Sequence, residues 1–130
     1  MTAARFGARV VFVAAVCALT TSWFGWAGLP FVGFIYGMVD RRAVGRGTIA
    51  ALGGLAGWLG ILGAEAARGA DVRAVADQVG AVLQVPGFVF LLSTLAFAAL
   101  LCGTAAFLGA AFSDANLHRT AKPYTAAGPT

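Results

Sequence analysis

Charge is scarce in this 130-residue chain, and it is missing from most of its length. Residues 10–39 hold no Asp, Glu, Lys, Arg or His, and neither do residues 47–64 or 78–113. A charge-free apolar run of about 18 residues or more is long enough to cross a bilayer as a helix. With 60% hydrophobic and only 11% charged residues, too few polar groups remain to cover a soluble domain. Histidine is nearly absent too. The single one, His118, follows the last apolar run, so no Ser–His–Asp or Cys–His arrangement can be built around it. There is no Cys-x-x-Cys pair and no metal-ligand spacing, and no phosphate-cradling motif ending in Lys-Ser or Lys-Thr.

What remains is a basic balance, net +4. The basic residues are scattered beside apolar segments instead of forming a face with interleaved aromatics, so nucleic acid is not an expected partner. They read as topology determinants and contacts to anionic lipid. Arg5 and Arg9 precede an apolar stretch, as in a signal peptide. That stretch continues far past a normal signal core, and Trp23, Phe24 and Trp26 stand where small residues should precede cleavage. An uncleaved first helix is expected.

The expected fold is an all-α integral membrane protein with four transmembrane helices. As one helix, the first run would be about 45 Å long against a hydrocarbon core of about 30 Å. Gly25, Gly28 and Pro30 in its middle suit a turn between two helices. The spans are read at 8–24, 29–44, 47–67 and 87–112. Between the last two, Val72, Val75, Ala76, Val79, Val82 and Leu83 recur at helical spacing, with Arg73, Asp77 and Gln84 opposite and Asp71 as N-cap. This predicts a short interfacial amphipathic helix over 71–84. Residues 1–112 form a single domain, and 113–130 read as a flexible cytoplasmic tail. With both termini in the cytoplasm, Arg5, Arg9, Arg41, Arg42, Arg46, Arg119 and Lys122 fall inside. Only Arg68 and Arg73 fall outside, beside Glu65, Asp71 and Asp77. That is a strong positive-inside bias, and the expected location is the cell membrane, multi-pass.

Lipid tails solvate apolar side chains as well as a neighbouring helix does, so association depends on close packing. Small residues recur at four-residue spacing in each span, and the expected packing positions are Gly33, Gly37, Gly53, Gly57, Gly60, Ala99, Gly103 and Ala106. Polar groups are few. Tyr36 is expected to bond to another helix. Asp40 and Glu65 are ionisable groups near span ends, where pairing with Arg41 and Arg68 or solvation is the plain reading. Ser and Thr within the spans should bond back to their own helix carbonyls. Cys17 and Cys102 read as separate buried thiols; their similar depth leaves a contact between the first and last spans as the alternative.

In length the chain resembles small four-helix multidrug exporters and small dimeric fluoride channels. The exporters' embedded glutamate in the first helix is missing, and no span contains the Asn of the fluoride channels, so neither family is assigned. The expected function is structural or interactive, as in an accessory subunit of a larger membrane complex. The alternative is a homo-oligomeric channel or transporter for a small or weakly polar solute. No enzyme activity, catalytic residue, metal or cofactor is expected. The expected partners are the lipid bilayer and other membrane subunits or a second copy.

Overall fold

The structure is a computed structural model that describes residues 3–40 and 45–120, excepting the side chains of 118–120. The described residues contain helices and no strands. They are α1 (Ala3–Phe24), α2 (Gly28–Val39), α3 (Arg46–Ala67), α4 (Val72–Leu83) and α5 (Gly87–Thr120), with a 3₁₀ turn over Gly25–Ala27 joining α1 to α2. Three stretches are long and apolar enough to cross a membrane: Ala3–Val39, Arg46–Ala67 and Gly87–Leu117.

The first of these stretches is not one rod. Arg9 and Asp40 meet at 2.7 Å, whereas a continuous helix would hold them about 46 Å apart. The reversal sits where glycine allows it. Gly25 has φ +60, a left-handed conformation that residues with a Cβ rarely adopt. Pro30 falls in the first turn of α2, where its missing N–H costs nothing.

The glycine contacts give the remaining directions. Gly53 and Gly57 of α3 face Val13 and Cys17 of α1, so these two helices run parallel. Gly33 and Gly37 of α2 face Cys102 and Ala106 of α5, a second parallel pair. Gly47 faces Phe107 and Gly54 faces Ala98, so α3 and α5 are antiparallel. The result is an up-down-up-down bundle in which α1 lies beside α2 and α3, and α5 lies beside α2, α3 and α4.

Backbone contact makes the bundle tight. A Cβ on Gly33 would overlap the Cys102 carbonyl, and one on Gly37 the Ala106 carbonyl. On Gly57 it would stand 2.8 Å from the Ala14 oxygen. The core is correspondingly small-grained: Val13, Cys17, Leu29, Val32, Ile49, Ala50, Ala98, Cys102 and Ala106.

Several expectations need correction. Gly60 is exposed, and a Cβ there would meet nothing within 4 Å; the stripe on α3 turns away from its neighbours before reaching it. Ala99 is only half-buried, while Ala98 beside it is fully buried. The second span was expected over 29–44, but α2 ends at Val39, and 41–44 lie outside the described residues. At 12 residues, about 18 Å, α2 alone is shorter than the hydrocarbon core of about 30 Å. The last helix does not stop at 112, because α5 runs to Thr120. Hydropathy falls there, but no Gly or Pro interrupts Ser113 to Thr120, and loss of apolar character does not end a helix. The expected tail is therefore helical to Thr120, and 121–130 lie outside the described residues.

The short helix expected over 71–84 forms as α4. The Asp71 carboxylate accepts from the Ala74 backbone N–H at 2.9 Å, and Gln84 closes the helix at φ 57. Its inner contacts are Ala76 and Gly80, while Val75, Val82 and Leu83 are exposed.

Two glycines in one helix make a matched pair for measurement. Gly57→Leu should lower detergent stability by about 3 kcal/mol or more through overpacking, whereas Gly60→Leu should leave the melting midpoint nearly unchanged. Thermal unfolding of the purified variants checks this, and equal tolerance would place the α3 stripe against lipid.

Candidate functional site

The polar chemistry of the bundle collects at its two ends. At one end the Arg9 Nη1 donates to Asp40 Oδ2 at 2.7 Å, and the Tyr36 hydroxyl donates to the same oxygen at 3.0 Å. The Asp40 side chain is 17% exposed against 43% for Arg9, so the carboxylate is the sheltered member and Arg9 the one that reaches water. Tyr36 reaches Asp40 because residues four apart share one helix face. The chain of contacts thus runs along α2 and then crosses to α1.

Sequence reasoning found two members of this cluster and missed the third. Tyr36 was expected to bond to another helix; its direct partner is on its own helix, and Asp40 carries the link across. Asp40 pairs with Arg9, 31 positions away, and Arg41 lies outside the described residues. Only the fold-back of α2 brings Arg9 and Asp40 together.

At the opposite end Glu65 and Arg68 pair at 2.6 Å with both side chains substantially exposed, as the three-residue spacing suggested. Beside them is a cavity of about 310 Å³ lined by Trp26, Trp58, Glu65, Val75, Phe90 and Thr94. Trp26 packs on Trp58 with ring centroids 4.5 Å apart and on Phe97 at 5.9 Å. Trp58 was not among the residues that the sequence singled out. An indole one turn above Gly54 on a helix of small residues is the signal that was available. The cavity is apolar with a single carboxylate at its edge, so it suits an apolar group held by aromatic contact.

The hydroxyls are largely satisfied within their own helices. Thr20 donates to the Val16 carbonyl, Ser93 to Val89, Thr94 to Phe90 and Thr104 to Leu100, all at 2.7–2.8 Å. Thr21 and Ser113 are the buried hydroxyls whose oxygens have no partner among the described residues. Cys17 and Cys102 were read as separate thiols, and the structure brings their sulfurs to 3.9 Å across the diagonal of the bundle.

No family model matches this chain, and no curated protein or solved structure is significantly similar to it. The class is therefore defined by the fold alone: a helical, membrane-embedded protein with three stretches able to span a bilayer.

The two ion pairs differ in kind. A double-mutant cycle on Arg9→Ala and Asp40→Ala should give a coupling of about 0.5–1 kcal/mol, since the pair is partly sheltered and joins two helices. The same cycle on Glu65 and Arg68 should give about 0.3 kcal/mol or less, because that pair is solvated and local. Unfolding midpoints in detergent measure both.

Proposed function

We propose that the chain crosses the membrane four times, with both termini in the cytoplasm, and serves as a structural or interaction subunit of a larger assembly. The Arg9–Asp40 contact is the observation that carries this reading. It sets the start of α1 and the end of α2 at one level, which supports reading α1 and α2 as two passes in opposite directions. On that reading Arg5, Arg9 and Arg46 share one end of the bundle, and Arg68 and Arg73 the other. Positive-inside asymmetry then assigns the arginine-rich end to the cytoplasm.

The exposed Val75, Val82 and Leu83 of α4 suit a helix lying in the opposite interface, with Arg73 and Asp77 toward water. The short α2 leaves a hydrophobic mismatch of about 12 Å against the hydrocarbon core. Bilayer thinning or oligomerisation relieves such a mismatch, which favours a partnered state. A groove of about 280 Å³ between α1 and α2 is lined by Phe12, Val16, Phe31, Ile35 and Val39, and it is apolar enough to take a neighbouring helix.

An interaction role is also supported by the way the bundle interior is filled. The core is closed by glycine-to-backbone contact and small apolar side chains, so a solute path through one copy would have to open these contacts. The channel or transporter alternative therefore requires a path between copies. Native particles extracted in mild detergent separate the two readings. Co-purified foreign subunits support the proposal, and a closed homo-oligomer favours the alternative.

Topology is open to direct measurement. In a background lacking Cys17 and Cys102, single cysteines at Ala3, Gly45 and Ala126 should be protected from impermeant thiol reagents outside intact cells, and one at Gly69 should label. Labelling at Gly45 would remove the four-pass arrangement.

A further inference from the structure

The chain has two cysteines, and the fold places both in one spot. Each is completely buried and unoxidised, with the sulfurs 3.9 Å apart. A close thiol pair first suggests a disulfide, but the backbones do not permit one. No Cα of α1 lies within 8 Å of a Cα of α5, and a disulfide needs its α-carbons within about 7 Å. Helix α3 buttresses both side chains: a Cβ on Gly54 would stand 2.8 Å from Cys102 Cβ, and one on Gly57 3.0 Å from Cys17 Cβ. The sulfurs are thus held close together on helices too far apart to be joined directly.

At 3.9 Å the two sulfurs are in hydrogen-bonding contact, with either able to donate, and an ion bonded to both would take the place of that shared proton. Among the described residues, no group of three or more His, Cys, Asp or Glu side chains converges, so neither a tetrahedral zinc site nor a four-thiolate cluster can form here. Soft sulfur ligands select soft ions such as Cu(I), and ions of this kind accept two ligands. With metal–sulfur bonds of about 2.3 Å, as in zinc thiolates, a bridging ion needs sulfurs at most about 4.6 Å apart. At the observed 3.9 Å such a bridge is bent at about 116°, and a linear one requires the sulfurs to separate by about 0.7 Å more.

We propose that Cys17 and Cys102 form a two-coordinate binding site for a soft monovalent cation of the Cu(I) and Ag(I) class. Binding breaks one S–H bond and releases its proton to water. The resulting thiolate bonds to the ion, and the second, still protonated sulfur donates a lone pair to it. The S–M–S(H) unit is then neutral, as an apolar interior demands, and no oxidant or reductant takes part.

The test uses the full chain in detergent, titrated with Ag(I) as a redox-inert probe and with Cu(I) under anaerobic conditions. The expected result is one ion and one proton released per chain, two sulfur neighbours by X-ray absorption, and at least 100-fold weaker binding in Cys17→Ser and in Cys102→Ser. Two ions per chain, a single sulfur neighbour, full affinity in either serine variant, or no binding would each overturn the site. Wild-type stoichiometry and absorption decide the matter even if a serine variant fails to fold. Quantitative disulfide formation with diamide in the folded protein would overturn it independently, since the helices would then approach as a disulfide requires.

Discussion

Close approach of helix backbones through glycine is the constraint on which this bundle rests. In a bilayer, removing an apolar side chain from lipid gains little, so helices adhere through dispersion and shape. Gly33 and Gly37 set α2 against the carbonyls of α5, and Gly53 and Gly57 set α3 against α1. Each contact exists only because a Cβ is missing. The largest fully buried side chains are Leu29, Ile49 and Val13, while the bulky aromatics Phe12, Trp23, Phe31 and Phe107 point outward. This inverts the pattern of a soluble protein, where large apolar groups fill the centre.

The polar groups obey the same solvent. The hydroxyls of Thr20, Thr94 and Thr104 bond back to carbonyls of the preceding turn, which satisfies them without help from water. Among the described residues of the three long helices, charges lie toward the ends and the middles carry none. One pair, Arg9 with Asp40, ties two helices together, while the other, Glu65 with Arg68, stays within a single turn of α3. The difference follows from the fold-back at Gly25, which gives Asp40 a partner on another helix.

The parts of the fold that depend on neighbours along the chain were legible in the sequence. The turn near Gly25, the capped helix after Asp71 and the Glu65–Arg68 pair each follow from residues a few positions apart. Gly33 and Gly37 sit at the contact of α2 with α5. On α3, Gly53 and Gly57 sit at a contact and Gly60 does not. Gly53 and Gly57 face α1 while Gly47 and Gly54 face α5, so a single stripe described the side toward α1 and missed the side toward α5.

The sequence by itself determined the solvent of this protein, the helical form forced by unsatisfied backbone groups in lipid, and the sites where the chain must turn. Tertiary structure alone decided which helices are parallel, that Asp40 answers to Arg9, that Trp26 stacks on Trp58, and that two thiols 85 positions apart share one place in the core. The physical reason is one of range. Helix propensity, capping and hydropathy act over a few residues, whereas these pairings depend on how close the backbones come, and missing Cβ atoms on other helices set that distance.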